Sequence, residues 1–84
     1  MKYHRNEKGM KTFGKKLREI RMSQKISQQK LANQIGIEFS QVGRIERGVI
    51  NTSISTVYEI AKGLGISPHE LFLPLKEKDK EEKQ

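Results

Sequence analysis

Apolar residues recur at helical spacing along most of this chain, in short runs that glycine, serine and proline punctuate. Phe13, Leu17 and Ile20 repeat at i, i+4 and i+7, with Lys15, Lys16, Arg18 and Glu19 in the outer positions, which predicts a helix with one buried face. Thr12 is placed to cap it, and it should end between Met22 and Gln24. Ser27 caps a second helix to about Gln34, and a third runs from Phe39 to Glu46 with Gly48 just past its end. After a loop over 49–52, Ser53 caps a fourth helix whose Ile54, Val57, Ile60, Ala61 and Leu64 form an inward stripe, stopped by Gly63 and Gly65. Ser67-Pro68-His69-Glu70 reads as a capping box with proline at the first helical position. It launches a short fifth helix through Leu71 and Phe72, and Pro74 stops it. No strand pattern or repeat appears.

The spacing inside QQKLANQIGIEFSQVGRIER, residues 28–47, is more specific than the rest. Leu31 and Ile35 share one face of the second helix, and Ala32 beside them lets a crossing helix come close over a methyl group. Gly36 can take the left-handed conformation that ends one helix and turns the chain within three or four residues. Past that turn, Val42 and Ile45 are i and i+3 and face back onto Leu31, Ala32 and Ile35. Two short helices crossing through a tight turn make a helix-turn-helix. The opposite face of its second helix carries Phe39, Ser40, Gly43, Arg44 and Arg47. With two fixed cations, that face would be poor core.

Charge sharpens this picture. The chain of 84 residues carries 17 Lys and Arg against 10 Asp and Glu, a net charge of +7, as expected of one small domain attracted to polyanions. Residues 1–22 alone hold +6 of it, whereas the charges from Lys76 to Lys83 cancel. Residues 1–11 lack apolar periodicity and read as a flexible basic arm, either idle or contacting DNA. Residues 12–74 form the domain, and 75–84 a charged tail with Leu75 as its one apolar residue. The chain has no cysteine, which leaves no disulfide or thiolate metal site and suits the cytoplasm. No apolar run approaches the length of a membrane span. His4 and His69 lie in different segments without ligand spacing, so neither a metal, a cofactor nor an enzyme is expected.

From Phe13 to Phe72, FGKKLREIRMSQKISQQKLANQIGIEFSQVGRIERGVINTSISTVYEIAKGLGISPHELF, the chain resembles the XRE-type, Cro and phage-repressor-like DNA-binding family. LREIR, SQQKLA, IERG and AKGLGISPHELF carry the resemblance, in the family's order and over about sixty residues. It implies an all-α, compact five-helix, lambda-repressor-like domain. Such a domain would bind a pseudo-palindromic double-stranded DNA operator as a homodimer, with one recognition helix per major groove. Carried over residue by residue, it places base contacts on Phe39, Ser40 and Arg44. It puts sugar-phosphate contacts on Gln28, Arg47 and the loop formed by Asn51, Thr52 and Ser53. It also pairs Arg21 with Glu46, as architecture. Three positions depart from the family pattern: Glu38 replaces a small polar cap, Lys30 stands where a glutamate would complete the Ser27 capping box, and Thr52 replaces a frequent proline.

Chemistry ranks these candidates. Arg44 can bond guanine O6 and N7 together, or instead meet phosphate or water. Ser40 can bond either kind of base edge, and Phe39 can touch a thymine methyl or pack on the turn through Ile37. Gly43, counted with the base-contacting candidates, costs about 0.5–1 kcal/mol relative to alanine in mid-helix; a close backbone approach to DNA would justify it, and so would chance. Gln28 and Gln29 sit at a helix N-terminus, where free N–H groups favour a phosphate oxygen, although Gln29 reads better as solvated surface. Arg47 can serve both a phosphate and the helix dipole. The leading expectation is a sequence-specific transcriptional regulator, most simply a repressor. The rivals are an antitoxin or restriction-modification controller that also binds a protein partner, and sequence-neutral nucleoid binding.

Overall fold

In the computed structural model, which describes residues 4–76, four α-helices and one 3-10 turn enclose a single apolar core: α1 (Glu7–Ser23), α2 (Gln28–Ile35), α3 (Phe39–Arg47), α4 (Ile54–Leu64) and the turn Pro68–Phe72. α3 is wedged between α1 and α2, while α2 also packs on α4, and the 3-10 turn closes the bottom against α1 and α4. Leu17, Leu31, Ala32, Val42, Ile45, Ile60 and Leu71 are fully buried at the centre. The expected pairing of Leu31 and Ala32 with Val42 and Ile45 is therefore the heart of the fold.

Capping explains most of the boundaries. Ser27 Oγ accepts the Lys30 N–H at 3.0 Å, and Ser53 Oγ accepts that of Thr56 at 3.1 Å, each satisfying one of the orphan donors of a helix start. Gly36 and Gly48 close α2 and α3 at φ of 74° and 72°, a conformation that a β-carbon would penalise. Glu38 makes no side-chain cap bond to α3. Glu70 Oε2 accepts the Ser67 N–H at 3.1 Å, the reach-back half of the capping box.

Several expectations change. α1 begins at Glu7, not after Thr12, because Asn6 Oδ1 accepts the Gly9 N–H at 2.7 Å and caps the helix there. Thr12 lies within α1, its hydroxyl donating to Lys8 O at 2.9 Å. Residues 7–11 of the expected arm are therefore helix, and residues 1–3 of it fall outside the described residues. Lys16 is buried rather than outward, its Nζ donating to Glu19 Oε1 at 2.7 Å and Pro74 O at 3.1 Å. Ile54 is 69% exposed, not part of the inward stripe. Gly63 does not stop α4 but lies inside it, under Ile35 Cγ2. The fifth helix is only a 3-10 turn, since Leu73 is already extended at ψ 154° before Pro74. The charged tail lies outside the described residues beyond Lys76, whose N–H donates to Glu19 Oε2 at 3.2 Å.

Candidate nucleic-acid interface

Burial divides α3 by face. Val42, Ile45 and the carboxylate of Glu46 point inward, while Phe39, Ser40, Arg44 and Arg47 are exposed. Phe39 is 52% exposed and belongs to no part of the core cluster. Of the outward side foreseen from the spacing, Phe39, Ser40, Arg44 and Arg47 stand free of the chain's own interior, whereas Gly43, expected there as a base contact, is buried against neighbouring side chains.

A second group of side chains sits where α2 meets α3. Arg21 Nε and Nη2 donate to Glu46 Oε2 and Oε1 at 2.6 and 3.1 Å, and Arg21 Nη1 donates to Ile26 O at 2.8 Å. Gln28 Nε2 donates to Glu46 Oε1 at 3.0 Å. A β-carbon on buried Gly43 would lie 3.1 Å from Arg47 Nη1 and 3.8 Å from Gln28 Oε1. Glycine therefore makes room for the Arg47 guanidinium to lie back across the helix beside Gln28. The structure brings Gln28, Gly43 and Arg47 together with Glu46.

The loop before α4 lines a surface cavity with Met10 and Phe13 of α1 and with Phe72. Asn51 is exposed and Thr52 half-buried, and the Ser53 hydroxyl donates to Thr56 Oγ1 at 3.0 Å while capping α4. With that hydroxyl engaged, the main-chain N–H is what Ser53 offers an anion. Lys11, assigned from the pattern to the flexible arm, instead lies on α1 directly against Gly48 at the end of α3. The missed signal was Asn6, a strong cap residue masked by the absence of an apolar repeat behind it.

The helix-turn-helix profile HTH_3 matches residues 17–71. The chain belongs to this family of DNA-binding transcriptional regulators. Among relatives, control protein C.BamHI of Bacillus amyloliquefaciens is 40% identical over 61 residues, covering 71% of this helix-turn-helix protein and 75% of its own length. The transcriptional regulator PuuR of Escherichia coli strain K12 is 37% identical over 59 residues, which are 70% of this chain and only 32% of PuuR. The crystal structure of the restriction-modification controller C.AhdI from Aeromonas hydrophila is similar at a TM-score of 0.78 and 39% identity, over 82% of this chain and all (100%) of that one. Among the described residues of this helix-turn-helix protein, no helix is long and apolar enough to cross a membrane.

Proposed function

We propose that this regulator binds a specific, pseudo-palindromic duplex as a homodimer, with α3 in the major groove, and represses by occluding a promoter. The observation that carries the reading is the exposed face of Phe39, Ser40 and Arg44 on a helix whose other side is locked into the core. Arg44 reads a base and Arg47, beside Gln28, meets the backbone. After selection of a site from random DNA, Arg44→Ala should relax selectivity at one base position by about 1–3 kcal/mol. Arg47→Ala should weaken selected and random duplexes alike and lower the salt slope by about two, one for each protomer. Equal loss of selectivity in both variants would overturn the assignment, and equal binding of selected and random duplexes by the parent would point to sequence-neutral binding.

A second copy is the occupant that best fits the apolar surface of α4 and the 3-10 turn. Ile54 and Tyr58 lie one helical turn apart, and with Phe72 they expose 69%, 60% and 63% of their surface, uncharged on a protein of +7. Tyr58→Glu, at a site too exposed to disturb the core, should halve the mass seen by sedimentation and abolish the preference for two half-sites over one. A parent that sediments as a monomer, or a variant of unchanged mass, would remove this surface from the account.

The likeness to two controller proteins, one of them covered end to end, favours a second reading as the control protein of a restriction-modification system. It predicts that the selected site lies in a promoter beside methyltransferase and endonuclease genes. A neighbouring toxin gene would favour an antitoxin instead.

A further inference from the structure

We infer that Glu46, which touches no exposed surface of α3, is a positioning residue for DNA binding because it orients the amide of Gln28. The inference rests on reading Gln28 as a phosphate contact. A phosphate accepts hydrogen bonds and donates none, so Gln28 can serve it only through Nε2. The amide has two orientations of nearly equal shape, and only its neighbours choose between them.

Glu46 makes that choice. The Glu46 carboxylate is acceptor-only when ionised, and it accepts two hydrogen bonds from Arg21, with 3% of its side chain exposed. It demands the NH₂ end of Gln28, which it receives at 3.0 Å. A β-carbon on Gly43 would lie 3.8 Å from Oε1 of Gln28 and 4.0 Å from its Nε2, so the Arg47 guanidinium beside that point leaves the choice to Glu46. Turning the amide over would set oxygen against carboxylate. Only one Nε2 hydrogen is spent on Glu46. The other remains at the start of α2, where main-chain N–H groups already favour an anion. Arg21 also neutralises Glu46, so the carboxylate orients Gln28 without adding net negative charge near the backbone.

An amide already fixed before binding spares the loss of rotamer freedom on contact, worth roughly three- to tenfold in affinity. The test is a double-mutant cycle in the full chain, using a duplex that carries the selected site. Arg21→Met with Glu46→Leu removes the ion pair as a unit, keeps the net charge unchanged, and replaces it with apolar side chains that such sites usually accept. Gln28→Ala is made in both backgrounds. We expect the paired replacement to weaken binding about three- to tenfold with an unchanged salt slope, because no phosphate-neutralising cation is lost. Gln28→Ala should then cost much less than in the parent. The same fold-loss from Gln28→Ala in both backgrounds would overturn the inference while leaving Gln28 a contact. No loss in either would show that Gln28 does not touch DNA, ending both. If circular dichroism shows the paired variant unfolded, Glu46→Met, which keeps the side-chain length but offers the amide no oxygen, is read below its melting point and gives the same comparison: there too, an undiminished Gln28→Ala penalty overturns the role of Glu46.

Discussion

Affinity for the selected duplex should fall about 10³–10⁵-fold between 50 and 200 mM salt, the loss expected when a dimer neutralises roughly six to ten phosphates and releases their counterions. The charge needed is present. The chain carries +7, and Lys11, Arg44 and Arg47 are exposed on or beside α3. Fluorescence anisotropy with a labelled duplex across that range measures the slope directly. An affinity that barely moves would mean that neither the cations of this face nor those of α1 meet a phosphate backbone, and the proposed docking would fail with it. With Arg47 proposed as the backbone contact and Arg44 as the reader, Arg47→Ala should flatten the slope the more clearly of the two.

Gly14→Ala should lower the melting temperature by about 10–20 °C, and Gly14→Val should leave the chain largely unfolded at 37 °C. A β-carbon at Gly14 would stand 2.5 Å from Glu46 O and 2.8 Å from Glu46 C, and nearer still to Ile45 O. Those atoms are main chain at the crossing of α1 with α3, and they cannot step aside as a side chain would. Alanine gains about 0.5–1 kcal/mol of helix propensity over glycine. Overpacking costs about 1–3 kcal/mol and occasionally more, so the clash wins. Each kcal/mol moves the midpoint of a domain this size by about 4–8 °C, and small domains hold only a few kcal/mol in reserve. Thermal denaturation followed by circular dichroism reads the result. A Gly14→Ala variant as stable as the parent would show that α1 and α3 do not cross in this way.

Gly14 also shows where sequence reading stops. The crossing of α2 and α3 was legible because both partners, Leu31 with Ala32 and Val42 with Ile45, lie within one short window at fixed helical offsets. The contact of Gly14 with the end of α3 joins residues more than thirty positions apart, and a lone glycine in a helical pattern carries no sign of what it faces. Lys16 escaped for a related reason. A charged residue is assigned outward by its type, and only the fold supplies Glu19 and the Pro74 carbonyl to receive its ammonium. Ile54 erred the other way, since it fits the stripe by spacing but sits in the first turn, beyond the reach of the core.

The candidate interface was legible to a similar depth. Which side of α3 faces outward followed from periodicity, and the ion pair of Arg21 with Glu46 followed from the family resemblance. The bond from Gln28 to that carboxylate did not, because a polar pair eighteen positions apart leaves no periodic trace. Nor did the placing of Arg47 over Gly43, which depends on the absence of a side chain rather than the presence of one.

The division of α3 into a locked side and a free one has an evolutionary corollary. Phe39, Ser40 and Arg44 lie outside the core cluster, so under the proposed reading a lineage can exchange these letters one at a time and acquire a new target without passing through an unfolded ancestor. The inner residues allow no such drift, and descendants with different vocabularies should keep the same skeleton.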